Sequence, residues 1–274
     1  MDPRLYAPLR ELERTHWWFR GRRRILWAAL DRAGVGGGAR PGAAPEPAGA
    51  AGPRVGAILD VGCGAGTNLE LLAQRFPGAR VHGIDVERAP LRFCRADRGL
   101  PVAQADAERL PFASGCFDVV AALDALEHLA DDAAALRELH RVCRPGGALI
   151  ASVPAFDWLW GSVDDLGHHY RRYRRGELRA RVEAAGFEVG LERYFNFWLF
   201  PAIAAVRLAA RGRRPGRPAA ATPRDAPERT PSDFDWAASG PLAALLERIF
   251  SSEAHLLALR VPFGVSLLCI ARRI

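Results

Sequence analysis

The chain of 274 residues contains no lysine, so all 38 of its basic residues are arginine. Set against 31 acids they leave a formal net charge of +7. Such an excess raises the question of an anionic partner, nucleic acid first. Here the arginines accompany heavy alanine, glycine and proline usage, a compositional bias that supplies the charge by itself, so nucleic acid is not the expected partner. Cysteine is sparse too. Cys63, Cys94, Cys116, Cys143 and Cys269 are scattered, odd in number and include no Cys-x-x-Cys pair. That argues against a disulfide scaffold and a zinc site, and for reduced thiols in a cytoplasmic protein. No His/Asp/Glu set has ligand spacing, so no metal is implied. Residues 1–30 carry Glu11, Glu13 and many arginines, with no apolar run long enough for a signal peptide. The apolar stretch "FNFWLFPAIAAVRLAA", Phe195 to Ala210, is interrupted by Asn196, Pro201 and Arg207. It falls short of the ~20 residues that cross a bilayer.

Hydrophobic residues make up 49% of the chain, enough for a packed core. Met1 to Ala33 reads as helical, and the Gly/Pro/Ala stretch from Gly34 to Pro53 as a flexible linker. Strand and helix patterns then alternate. Strands are expected at Val55 to Val61, Ala79 to Val86, Leu100 to Ala107, from Cys116 onward, and at Ala148 to Pro154. Helices are expected at Asn68 to Phe76, near Ala89 to Asp97, and at Asp131 to Cys143. Near-continuous apolar strands suit a parallel sheet covered on both faces, and this alternation means an α/β doubly wound fold. An aromatic, charged loop follows from Ala155 to Arg175, then helix and strand to Val189. After the apolar stretch come a low-complexity tract, Arg211 to Gly240, a helix from about Pro241 to Ala258, and a last strand in "PFGVSLLCIARRI". The expected units are 1–33, a helical lid; 34–53, a linker; 54–194, the core; 195–258, an insertion; and 259–274, the last strand.

The stretch "ILDVGCGAGTN", Ile58 to Asn68, carries the most information. A dinucleotide loop wants G-x-G-x-x-G. Counting from Gly62 and Gly64 puts Thr67 at the third place; counting from Gly64 and Gly66 puts Leu69 there. The spacing is G-x-G-x-G, preceded by Asp60. With "VHGIDV", "QADAERLPF" and "FDVVAALDALEHL" in order behind it, the chain resembles the class I S-adenosylmethionine-dependent methyltransferases from about Val55 to Val189, and again near its end. The resemblance implies a Rossmann-like, seven-stranded, mostly parallel sheet with an antiparallel last strand. It also implies S-adenosylmethionine as cofactor. Gly62, Gly64 and Gly66 would let the backbone approach the methionine portion, with Cys63 in the same loop. Asp60 would orient that loop or bind the ammonium. Asp85 would accept the ribose hydroxyls, with Val86 beside it. Asp106 and Ala107 would meet the adenine, and Leu123 and Asp124 would lie near the methionine amine.

An activated methyl group needs mainly an aligned nucleophile. A general base is needed only where the nucleophile keeps its proton, and His128 and His169 are the candidates. The substrate candidates are Trp18 and Arg20 on the N-terminal segment, and His168, Tyr170, Arg171 and Tyr173 in the aromatic loop. The expected reaction is methyl transfer to oxygen or carbon of a small-molecule or lipid-linked acceptor. The apolar insertion can wall a greasy pocket, lie in the inner membrane interface, or pack on its own domain. An RNA methyltransferase, a dinucleotide oxidoreductase and a non-catalytic membrane-associated module are the alternatives.

Overall fold

The computed structural model describes residues 6–36, 55–211 and 239–274. Most of the expected linker and most of the low-complexity tract lie outside these. Two helices, α1 (Tyr6–Thr15) and α2 (Trp17–Arg32), open the fold. Between them His16 takes extended backbone, and its Nδ1 accepts the Trp18 N–H at 3.2 Å, capping α2. Then follow β1 (Ala57–Val61), α3 (Thr67–Arg75), β2 (Arg80–Asp85), α4 (Arg88–Arg98), β3 (Val102–Gln104) and β4 (Phe117–Leu123). The second half runs α5 (Asp132–Val142), β5 (Cys143–Pro154), α6 (Ser162–Leu166), α7 (Glu177–Ala184) and β6 (Phe187–Phe195). It ends with α8 (Phe200–Arg211), α9 (Gly240–Ser252) and β7 (Ser266–Arg273).

The seven strands lie in the order β3-β2-β1-β4-β5-β7-β6. All neighbours pair in parallel except β7, which is antiparallel to both β5 and β6. Chain order reverses between β1 and β4, so a crevice opens beyond their carboxyl ends. The pleat sends alternate residues to two separate cores. Leu59, Val120 and Leu149 meet α5 and α7 through Leu136, Leu139 and Val182. Ile58, Val119 and Ile150 face the other way, into a core that holds Ile25 and Leu30 of α2, Leu69 of α3 and Phe250 of α9. The N-terminal helix therefore shares in the core as well as reaching the site.

Three strands differ most from the sequence reading. β6 runs six residues past Val189, to Phe195. β3 is only three residues long, because the exposed Pro101 precedes it and Asp106 leaves the ladder to bridge Arg109. β5 starts five residues early and passes through Pro145, Gly146 and Gly147, which suggest a turn. The pairing with β4 jumps from Phe117↔Cys143 to Val119↔Ala148. This excursion needs glycine: Gly146 has φ +74°, and a Cβ on Gly147 would stand 2.9 Å from the Asp118 carbonyl oxygen.

Candidate active site

The glycine loop after β1 is pinned before it meets any ligand. Gly62 and Cys63 both donate N–H to the Ile84 carbonyl at 2.9 Å. Gly62 (φ +72°) is crowded, since an added Cβ would lie 2.9 Å from the Ala125 Cβ. Gly64 (φ +51°) faces open space, with nothing within 4 Å of its virtual Cβ. One glycine serves close packing and the other keeps a gap clear. Gly66 (φ +84°) starts α3. The Gly64 N–H donates to Asp85 Oδ2 at 2.9 Å, and the Glu87 N–H donates to Asp85 Oδ1 at 2.9 Å. Asp85 thus ties together the loops after β1 and β2. Asp106 is exposed and caps the Glu108 N–H, Ala107 and Leu123 are buried, and Val86 points outward.

A cavity of about 180 Å³ opens between α2, the glycine loop and the end of β4. Arg22, Trp27, Gly62, Gly64, Asn68 and Asp124 are in its wall. Arg22 was not anticipated from the sequence. Its guanidinium meets Asp124 Oδ2 at 2.7 Å and donates to Ser152 Oγ at 2.8 Å. The Ser152 hydroxyl in turn donates to Asp124 Oδ1 at 2.9 Å. The available signal was helical phase: Trp18, Arg22 and Leu26 recur every fourth residue along α2. Arg20 is turned to the opposite side, 3.3 Å from Glu247, and Trp18 stacks on Phe250 at 6.3 Å between centroids. Trp18 also meets Arg22, whose guanidinium lies 5.6 Å over its ring.

Asp60 is fully buried near the end of β1, and neither carboxylate oxygen has a hydrogen-bond partner among the described residues. Burial pushes its pKa up to about 8, against the nearby Arg22 cation. A buried polar group without a partner is costly. Beside a bare glycine loop, it fits a ligand that brings a cation, as the ammonium of S-adenosylmethionine would.

The second cluster lies past β4. A single helical turn, Leu126–His128, carries Glu127 and His128. The His128 and His169 rings meet edge to face at 4.5 Å. His169 Nδ1 is 2.9 Å from Asp164 Oδ1. Asp164 also receives two bonds from the Arg172 guanidinium, at 2.8 and 2.9 Å, and one from the Gly161 N–H at 2.7 Å. Burial raises the Asp164 pKa, but the bonds from His169 and Arg172 win and hold it at about 2. Burial and then His169 lower the pKa of His128. Glu127 is pushed well above the usual carboxylate range, first by burial and then by the Asp124 charge. Ligand atoms of Glu127, His128 and His169 lie within 4.8 Å of one another. The fold thereby assembles a trio able to hold a cation, which linear spacing does not reveal.

The aromatic loop divides. Its interior members, Asp164, His169 and Arg172, build this cluster. Tyr173 is completely buried and donates its hydroxyl to Asp132 Oδ2 at 2.8 Å; Arg171 pairs with the same carboxylate at 3.0 Å. Both anchor the start of α5. His168 and Tyr170 are exposed and stand outside the enclosed cluster.

Comparison with known proteins agrees with this architecture. The family described as a methyltransferase domain matches residues 59–151. A ubiquinone biosynthesis O-methyltransferase of Pseudomonas aeruginosa (strain UCBPP-PA14) is 37% identical over 166 residues, 53% of this chain and 68% of that protein. Its namesake in Azotobacter vinelandii is 32% identical over 155 residues, 48% of this chain and 65% of that protein. Among solved structures, geranyl diphosphate methyltransferase in complex with GPP and sinefungin superposes with a TM-score of 0.51 at 15% identity, over 82% of this chain and 74% of that one. A complex of the Haloferax volcanii Trm112 methyltransferase activator with a methyltransferase gives 0.51 at 20% identity, over 80% and 82%. Those two likenesses concern the fold. The chain belongs to the class I S-adenosylmethionine-dependent methyltransferases. S-adenosylmethionine is its cofactor. Among the described residues, no helix is long and apolar enough to cross a membrane.

Proposed function

We propose that the enzyme methylates a hydroxyl oxygen of a small-molecule acceptor with a lipophilic portion. The observation that carries this reading is the Asp164–His169–His128 arrangement beyond the end of β4. A hydroxyl keeps its proton at neutral pH, so its methylation calls for a base, whereas the lone pair of a neutral amine attacks without one. Asp164 fixes the His169 ring through Nδ1, and His169 supports His128 as the base. The cofactor supplies an already activated methyl group. In this reading the gap at Gly64 admits its methionine portion, with Asp60 and Asp124 offering carboxylates to the ammonium and Arg22 a cation to the carboxylate. Asp85 would hold the ribose, and Asp106 with Ala107 the adenine. The N-terminal helices would cover the donor side, and residues 195–211 and 239–258, inserted before the last strand, would shape the acceptor side. The name of the Pseudomonas relative supports O-methylation, and the packed rings of Phe156, Trp158 and Phe200 support a greasy acceptor.

Two measurements test this. Calorimetric titration of S-adenosylmethionine into the wild type and Asp85→Ala should give binding that the substitution abolishes. Labelled methyl transfer to phenols and amines, with and without an alkyl tail, should give O-methyl products and favour the tailed phenols. Products methylated only at carbon or nitrogen would overturn the assignment to oxygen.

A further inference from the structure

The segment between β6 and β7 has a surface that neither the cofactor cavity nor the histidine cluster uses. Eight of the twelve exposed large apolar side chains among the described residues fall between Trp198 and Phe263. On α9 they form a stripe, Leu242, Leu245 and Ile249, at helical spacing i, i+3, i+7. The neighbouring stripe of the same helix, one residue on at Ala243, Leu246 and Phe250, is buried. So α9 carries two adjacent apolar stripes, and only one of them is covered. On α8, Val206 is 66% exposed.

These residues belong to one region. The Glu253 carboxylate accepts the N–H groups of Asn196 and Trp198 at 2.6 and 3.0 Å, fastening the start of the segment to the end of α9. Phe200 meets Phe263 at 5.1 Å. The charges are sorted as well. Both acids in its described part, Glu247 and Glu253, are turned inward, whereas Arg248 and Arg260 are exposed. An apolar face with exposed arginines beside it and, among the described residues, no exposed carboxylate matches an anionic bilayer: acyl chains take the stripe and headgroups take the guanidinium groups. Isolated monomers seldom leave a contiguous apolar patch uncovered.

The face also lies against the candidate acceptor side. Phe200 packs on Phe156 and Trp158, and a Cβ on Gly161 would collide with the Arg207 guanidinium. Gly161 is three residues before Asp164, the residue that holds His169. We propose that α8, α9 and the 259–263 loop seat the protein on an anionic lipid surface, with Trp198, Leu245 and Ile249 entering the acyl boundary. Its purpose, delivery of a lipophilic acceptor, rests on the function proposed above; the docking itself is measured separately.

The test is flotation of the full chain with vesicles of phosphatidylglycerol and phosphatidylcholine in equal parts, beside phosphatidylcholine alone. The wild type should float with the anionic vesicles, and less so at high salt. Leu245→Glu with Ile249→Glu should lower partitioning by about tenfold or more, because two apolar contacts are lost and two like charges are gained. Its melting temperature and S-adenosylmethionine affinity should stay at the wild-type values. Brominated acyl chains should quench wild-type tryptophan fluorescence and quench Trp198→Phe less, a readout that needs no disruptive substitution. Absence of flotation with anionic vesicles would overturn the proposal, as would undiminished flotation of the double variant. A double variant that turns a dimer into a monomer, with neither form floating, would assign the face to a second copy of the chain instead. Intact cofactor binding without flotation would sink the docking alone; flotation without cofactor binding would sink the enzymatic reading alone.

Discussion

Asp60→Asn keeps the shape of a buried side chain and removes its charge. In the folded chain burial holds this carboxyl at about 8, whereas unperturbed it titrates near 3.8. Between those values the folded state keeps a proton that the unfolded chain has released. The contribution to stability is therefore greatest in acid and falls as pH rises towards 8. At about 1.4 kcal/mol per pH unit, the loss between about pH 5 and about pH 8 comes to roughly 3.5 kcal/mol. The asparagine variant has no such dependence. Urea unfolding of the two cofactor-free proteins across that range should show their difference moving by about this amount in favour of the variant. The other titrating groups are common to both proteins and cancel. Parallel stability curves, with a difference that stays constant, would refute the argument from burial. A second measurement isolates the ligand role. At pH 7, with a pKa about 8, roughly nine-tenths of Asp60 is protonated in the folded chain. A cationic ligand beside it favours the charged form, so binding of S-adenosylmethionine should release close to one proton. Calorimetry in two buffers of different ionisation enthalpy reads that number directly. Release that is the same in the wild type and Asp60→Asn would remove Asp60 from the cofactor site.

Gly64→Ala places a methyl group into the open gap at φ +51°. It should cost about 1–2 kcal/mol of stability through backbone strain, yet lower S-adenosylmethionine affinity by more than that strain explains, as melting and titration would together record. His128→Asn should lower kcat by about 10²- to 10⁴-fold with the cofactor dissociation constant unchanged, the loss expected of a base. Because burial holds His128 below the ordinary histidine value of 6.5, its neutral, base form persists to lower pH. The acid limb of the kcat profile should accordingly lie below 6.5, and Asp164→Asn, which frees the His169 ring, should change kcat with little effect on cofactor affinity.

The sheet was legible because its strands announce themselves twice. "AILDV" and "FDVVAAL" are apolar at all but one position, and each is followed by glycine or acid where the chain must turn back. The loop after β1 was legible for the same reason: three bare positions in five leave few other uses. Legibility failed where the third dimension chooses among equivalent residues. Arg20, Arg22, Arg23 and Arg24 are chemically alike in sequence, and only the phase of α2 against Phe250 decides that Arg22 meets Asp124 while Arg20 and Arg24 meet Glu247. Tyr173 and Arg171 looked like surface recognition residues because nothing local shows that Asp132, 41 and 39 positions earlier, is their partner. Glu127, and the meeting of His128 with His169, escaped for the same reason. Their convergence depends on a loop that returns 41 residues later, held by Asp164.

That phase of α2 can itself be tested, because Gly21 sets it. A Cβ on Gly21 would lie 2.5 Å from Phe250 Cδ1. Helix propensity alone favours alanine there by about 1 kcal/mol. Overpacking of a ring in a filled core costs about 1–3 kcal/mol, so the clash should win or at least cancel the gain. The ring cannot retreat easily, since Trp17, Trp18 and Phe195 all contact it. The helix must then roll or lift, and Arg22, the next residue, moves with it. Gly21→Ala should therefore lower cofactor affinity as well as melting temperature, although residue 21 is not in the cavity wall. Phe250→Leu shortens the obstacle, and the double variant should recover part of both losses relative to the sum of the single ones. A Gly21→Ala protein that is more stable than wild type and binds the cofactor normally would show that α2 keeps its place without the close approach. In that case Arg22 would owe its position to Asp124 and Ser152 alone.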